Sequence, residues 1–338
     1  MRPGRVLGRT ACDGASVNIQ NLIEQFGEHT VNGLGKGSIY ALVALGYTLV
    51  YGVLKLINFA HSEVFMVGTW TVLGTYTVLG ATDADAGTWM VLVFVLVAVI
   101  AAALASGTTA LVIERIAYRP LRRRNAPSLI FLITAIGFSL ALMEIFGFVL
   151  ARIFGPPFGR ATVNLPTLVP REVLIRIGDT EISNLDLIIV GAALLMMLVL
   201  DQFINRTRLG RGVRAVAQDP DTSALMGVNK NRVIMLIFTI GGALAGVAGL
   251  LFTMNFNITS FDIGFIIGLK AFTAAVLGGI GNIRGALLGG LALGLVEVYS
   301  SALFQSKWED VTAFIVLVVV LMFRPTGILG ESLGKARA

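Results

Sequence analysis

The sequence predicts an all-α polytopic membrane protein with about eight to ten transmembrane segments, some of them interrupted or half helices. Three observations carry this. The 338-residue chain is 56% apolar and 14% charged, against roughly 45–50% and 25% for a soluble domain. Residues Trp89 to Ile113 contain no charged side chain and exceed the ~20 residues needed to cross a hydrocarbon core about 30 Å thick. Most of the basic residues that give the net charge of +6 sit in a few stretches between apolar runs. That distribution is a topology signal and not a nucleic-acid surface.

Taken in order, residues 1–28 form an N-terminal extension in which Arg2, Arg5 and Arg9 precede no apolar run before Ser16. A cleaved secretory signal is not expected there; Val17 to Phe26 suits a short amphipathic helix lying on the membrane. Apolar segments follow near His29–Val53, Asn58–Gly80, Trp89–Ile113, Ser128–Phe154, Leu185–Ile204, Val233–Met254, Ile263–Ile280, Ala286–Phe304 and Val311–Phe323. Together they define a transmembrane domain over residues 29–325, with a short tail at 326–338. The stretch ERIAYRPLRRRN, with Arg115, Arg119, Arg122, Arg123 and Arg124, and the loop at 205–232, with Arg206, Arg208, Arg211, Arg214, Lys230 and Arg232, read as cytoplasmic. The loops ATDADAGT and NFNITSFD carry no Lys or Arg and fall on the other side. This alternation puts the C-terminus inside and the N-terminus outside, although the three N-terminal arginines pull the other way.

The external loop at 155–184 is long and contains the alternating stretch EVLIRIGDTEI, which predicts a small hairpin turning at Gly178 and Asp179. A loop of that length is either a partner-docking element or a plain connector. Within the spans, Gly242 with Gly246 and Gly290 with Gly294 have the small-xxx-small spacing that lets helix backbones approach.

Charges inside the membrane cost a few kcal/mol each and mark candidate sites. Here they are His61, Glu63, Glu144, Lys270 and Glu297, each requiring a cavity, a partner or an interface. The run Asn58, His61, Ser62 and Glu63 is distinctive, because polar groups so close together on one helix would face lipid in some direction. A break near Ile57 to His61 removes the conflict. Asn58 and His61 then satisfy freed backbone groups, and Ser62 or Glu63 enters the first turn of a new half-helix. A second interruption, LGGIGNIRGALLGG, places Gly278, Gly279, Gly281 and Asn282 in the other half of the chain. Paired interruptions point to a translocation pathway.

Enzymatic readings lack their parts. His61-x-Glu63 has the H-x-E of zinc deaminases, but the P-C-x-x-C that must accompany it is absent and the chain has one cysteine, Cys12. No H-E-x-x-H or G-x-S-x-G occurs, so neither a metal site nor a serine nucleophile is expected. GLGKGS, Gly33 to Ser38, is not a phosphate-binding loop, since no Ser or Thr directly follows Lys36. Energy must come from an ion gradient or from a separate ATPase. In AVAQDPDTSALMGVN, Asp221 suits an N-cap, Thr222 to Met226 a short helix and Gly227 its stop. Such a helix is marginal alone: it either docks into a force-transmitting partner or is an ordinary solvated turn.

The motifs INFAHSEVFMVG after YALVALGYTLVYGV, GRGVRAVAQDPDTSALMGVN before GALAGVAGLL, KAFTAAVLGGIGNIRGALLGG and RPTGILG occur in order between Gly33 and Gly330. In this the chain closely resembles the permease subunits of bacterial branched-chain amino acid ABC transporters. The resemblance implies an ABC importer permease fold, a place in the bacterial cytoplasmic membrane, and transport of leucine, isoleucine and valine by alternating access. It further implies a second permease subunit, often a paralogue, an external amino-acid-binding protein, and two ATPase subunits that hold ATP and Mg, leaving this chain without a cofactor. By the same resemblance Ala217, Asp219, Pro220, Asp221, Ala224, Leu225, Met226 and Gly227 belong to the ATPase-contacting segment, and Asn58, His61, Ser62 and Glu63 to the pathway motif. The chain departs from the family at Ser62, where glycine is usual. The alternatives are a permease for urea or short-chain amides with the same motif, and a gradient-driven transporter using His61, Glu63 and Glu144 as a proton relay.

Overall fold

A continuous apolar run with no proline lets the chain form a single 29-residue helix, α1, over Phe26–Leu54. It ends where Lys55 adopts a left-handed conformation and bonds back to the Tyr51 carbonyl at 2.8 Å. The computed structural model describes residues 25–81, 88–155, 159–178, 180–304 and 306–330. The expected amphipathic helix lies outside them except for Gln25 and Phe26, as do most of ATDADAGT, the turn residue Asp179 and the tail beyond Gly330.

The other apolar segments all form helices: α2 at His61–Val78, α3 at Thr88–Ile113, α4 at Ser128–Glu144, α5 at Asn184–Arg206, α8 at Lys230–Phe256, α9 at Ile263–Gly278, α10 at Ile283–Phe304 and α11 at Glu309–Phe323. Two further helices, α6 at Arg208–Gln218 and α7 at Pro220–Leu225, fill the stretch between α5 and α8. Among the described residues six helices are long and apolar enough to cross a membrane, with α3 and α4 counted through their extensions. The shorter α2, α9 and α11 have 18, 16 and 15 residues.

Small residues decide which helices sit inside. A side chain on Gly290 would meet the Ala41 backbone at 2.5 Å, and one on Gly294 would strike Gly37, so α10 lies directly on α1. A side chain on Gly242 would fall 2.7 Å from the Ser106 carbonyl of α3, and one on Gly68 only 2.9 Å from the Gly246 Cα. The expected small-xxx-small contacts are therefore made. In the best apolar window of α1, 83% of residues are buried, and in that of α8, 72%. The corresponding share for α4 is 17% and for α5 22%, and their outward side chains include Leu129, Ile133, Leu195 and Leu198. So α1, α2, α8, α9 and α10 form an inner scaffold, with α4 and α5 as lipid-facing staves.

Two stretches expected as loops are more helical than that. After α3 the chain runs through a π turn at Glu114–Tyr118 into a helix at Arg119–Arg123. The π turn lets Pro120, which has no N–H to give, follow without a break. Beyond α5, Thr207 accepts a bond from Gly210 N at 2.9 Å and caps α6. Val213 and Val216 of α6 are buried while Arg208 and Arg211 face outward, the one-sided pattern of an amphipathic helix.

The two ends of the bundle separate as the charge pattern requires. At one end Arg122 reaches Asn231 at 2.9 Å and Arg284 pairs with Asp201 at 3.3 Å. At the other, Val163–Asn164 (β1) pairs antiparallel with Ile258–Thr259 (β4), and Val173–Ile177 (β2) with Thr180–Ser183 (β3). The predicted hairpin is present, with Gly178 in a left-handed conformation at its turn.

Candidate functional site

The chain does break before His61. No helix covers Lys55 to Ala60, and α2 starts at His61 with its first turn deep in the protein. Asn58, His61, Ser62 and Glu63 are all buried, Glu63 completely. The manner of capping differs from the expectation. The Asn58 and Phe59 carbonyls accept from His61 N at 3.1 Å and Ser62 N at 3.3 Å, whereas the Asn58 side chain is taken by the Tyr118 hydroxyl at 2.9 Å. A main-chain turn can cap the helix here because a polar residue of α3's extension claims Asn58.

Glycines make room for this cluster. The His61 ring lies edge-on to Tyr47 with centroids 4.9 Å apart and presses against Gly46 of α1, which faces Gly241 of α8. A side chain on Gly264 of α9 would fall 2.6 Å from both Glu63 Oε2 and the Ser62 carbonyl, and one on Gly268 would strike Ser62. Ser62 thus packs closely on the glycines of α9 without needing a positive φ, consistent with a serine at this position.

Glu63 is held without a counter-charge. Its Oε1 lies 3.0 Å from the Ser139 hydroxyl of α4 and 3.3 Å from that of Ser62. Ser62 has one proton, and its 2.6 Å bond to the Phe59 carbonyl claims it. Ser139 is therefore the principal donor, a residue that sequence reasoning missed because a serine in an apolar helix gives no signal. Glu63 Oε2 and His61 Nε2 have no hydrogen-bond partner, and no cation lies in salt-bridge reach of Glu63 among the described residues.

The remaining intramembrane charges find partners. Lys270 of α9 pairs with the fully buried Glu297 of α10 and with Asp310 of α11 at 2.6 Å. Lys36 of α1 pairs with Glu309 and lies 3.8 Å from Glu297. Glu144 pairs with Arg160 at 2.9 Å at the exposed outer end of α4, so among the described residues no hydrogen bond joins it to His61 or Glu63. Glu114, read as part of a loop, is a fully buried carboxylate clamped by Arg119 and Arg122.

The second interruption is real but lies apart from the first. Gly279 and Gly281 have φ of +102° and +101°, and Asn282 caps α10 by accepting from Arg284 N and Gly285 N. The segment RPTGILG returns to this turn: Ile328 N and Leu329 N donate to the Leu277 and Gly278 carbonyls at 2.8 and 3.0 Å, and Asn282 donates to the Leu329 carbonyl. The two breaks are stacked along α1. His61 lies against Gly46 and Gly281 beside Gly52, a separation of about 9 Å at the helical rise.

In the loop between α5 and α8 the expected cap shifts by two residues. Asp219, not Asp221, caps α7, accepting from Asp221 N at 2.9 Å and Thr222 N at 3.1 Å. Pro220 occupies the first helical position, where a missing N–H costs nothing, and that fixes the cap one residue earlier in the chain. Hydrogen bonds from Thr222, side chain first, hold the Asp219 carboxyl below the usual carboxylate range. Gly227 ends the helix with φ +85°, as expected. Leu225 and Met226 project outward, 87% and 81% exposed, in an otherwise polar loop. Ala217 lies in the last turn of α6, which packs on α1, α5 and α8 and is joined to α7 through Asp219.

Residues 29–321 match the family described as the permease component of branched-chain amino acid transport systems. The chain is 43% identical over 307 residues to a high-affinity branched-chain amino acid transport system permease protein of Pseudomonas aeruginosa, covering 90% of this chain and 95% of that protein. It is 42% identical over 311 residues to the permease protein of the same description in Escherichia coli K12, covering 90% and 96%. A probable branched-chain amino acid transport permease of Methanocaldococcus jannaschii is 24% identical over 94% of this chain and 98% of that protein.

Proposed function

The chain belongs to the family of branched-chain amino acid transport permeases, and from that premise we propose that it is the membrane subunit of an ATP-driven importer. It is a multi-pass protein of the bacterial cytoplasmic membrane that carries leucine, isoleucine and valine by alternating access. The observation that carries the ATP-driven part is the outward pair Leu225–Met226 on the Asp219-capped helix. Two large apolar side chains held rigidly in a polar loop suit a hydrophobic groove on a partner.

In this reading two ATPase subunits bind ATP and Mg and grip the segment comprising Ala217, Asp219, Pro220, Asp221, Ala224, Leu225, Met226 and Gly227. Movement of α7 passes through α6 to α1 and α8, the helices that meet at Gly46 and Gly241 beside His61. The path for the solute runs beside α1, from the layer of Asn58, His61, Ser62 and Glu63 to that of Gly278, Gly279, Gly281 and Asn282. A second permease subunit, a paralogue, completes the path, and an external binding protein supplies amino-acid specificity. This chain itself needs no cofactor.

The test is uptake of labelled leucine by the reconstituted complex carrying Leu225→Asp or Met226→Asp. Both positions are exposed, so the chain should fold; docking should weaken by about 2 kcal/mol, roughly thirtyfold in affinity, if either is a hot spot. Uptake should fall while ATP hydrolysis by the free ATPase subunits persists. Undiminished, ATP-dependent uptake in both variants would refute the docking assignment. Competition by isoleucine and valine, with none by urea or acetamide, is the expected solute profile.

A further inference from the structure

The β2–β3 hairpin presents apolar side chains that are exposed among the described residues. Val173, Leu174, Ile175 and Ile177 are 48%, 60%, 44% and 66% exposed. All five residues of β2, Val173–Ile177, are exposed, so neither face of this strand shields a core. Its arginines are paired: Arg176 with Glu181 across the strands, and Arg171 with Asp186 at 2.8 Å.

The hairpin is fixed to the outer end of α5. Ser183 and Asp186 form a reciprocal capping box, Arg171 donates to the Ser183 hydroxyl at 3.1 Å, Asn184 N donates to the Glu172 carbonyl at 2.9 Å, and the Asn184 side chain donates to the Pro170 carbonyl at 2.9 Å. Below it, the outward apolar side chains of α5 run only from Leu187 to Val199. Twelve residue steps span about 18 Å, against about 30 Å of hydrocarbon. A five-residue strand adds up to about 16 Å. The hairpin therefore sits where the lipid-facing belt of α5 runs out, with the type of surface that belt lacks.

We propose that the β2–β3 hairpin lies in the outer headgroup–acyl boundary of the bilayer, its valine, leucine and isoleucine side chains continuing the lipid contact of α5. The partner is the phospholipid surface. An apolar surface whose arginines are self-paired gains by burial in that boundary, as the outward apolar face of α5 does below it. The assignment holds whichever solute is carried.

The test uses the full-length chain in nanodiscs, with Cys12→Ser and single cysteines placed by Leu174→Cys or Ile177→Cys, each carrying an environment-sensitive fluorophore. Both positions are exposed, so labelling should leave the fold intact. The expected result is blue-shifted emission that is quenched by phospholipid bearing a nitroxide near the headgroup and protected from aqueous iodide. Ready quenching by iodide with no response to the lipid nitroxide would overturn the proposal. So would lipid protection that appears only on adding a second membrane subunit or the external binding protein, since a protein would then be the occupant.

Discussion

The cluster at Asn58–Glu63 and the network at Lys36, Lys270, Glu297, Glu309 and Asp310 are both charged, both inside the bundle, and built on opposite principles. In the network, two lysines from α1 and α9 each pair with carboxylates from α10 and α11. In the cluster a fully buried carboxyl has hydroxyls for neighbours and, among the described residues, no cation in salt-bridge reach. Ion pairing of the first kind secures helices to one another. A carboxyl of the second kind joins α2 to α4 only through a neutral hydroxyl donor, without an ion pair among the described residues.

That contrast can be tested from both sides. The largest effect is expected from Lys270→Met, which strips Glu297 of its nearest cation; breaking a buried pair costs about 3–5 kcal/mol. Thermal melting of the detergent-solubilised chain should drop sharply. The double variant Lys270→Met with Glu297→Leu should recover much of the loss, because an apolar pair of similar volume replaces a buried ion pair at little net cost. If the double variant melts as low as the single one, the network is more than a fastening.

A middle-sized effect is expected at Ser139. Ser139→Ala removes the principal donor to Glu63 and should cost about 1–3 kcal/mol. Glu63→Gln keeps an acceptor for Ser139, so melting should change little while leucine uptake falls. Equal losses of stability in these two variants, with uptake following stability, would place the cluster in the same structural class as the network.

The smallest effect is expected at Tyr118→Phe, which deletes one hydrogen bond to Asn58 and should cost about 0.5–1.5 kcal/mol. Because Tyr118 holds the break before α2 from outside the motif, uptake should fall more than melting does. A change in neither would make Asn58 self-sufficient.

Much of this was legible in the sequence. Hydrophobic runs exposed all nine apolar helices, since a helix in lipid must be long, apolar and internally hydrogen-bonded. Adjacent polar residues at Asn58 to Glu63 exposed the break, because no helix face could hide them all. Glycine spacing exposed the inner contacts, and Gly227 exposed the end of α7. These are local properties: composition, period and backbone preference act within a few residues of where they are read.

What only the tertiary structure decided is who meets whom. Nothing local told that Glu297 would pair with Lys270, that RPTGILG would return to close the turn at Gly279, or that Ser139 would donate to Glu63. The cap of α7 was by contrast a local choice, since Pro220 at the first helical position fixes Asp219 as the cap. Helices that look alike to a hydropathy window are sorted into scaffold and lipid-facing staves by close backbone approach. That property belongs to pairs of helices, and a single sequence position does not carry it.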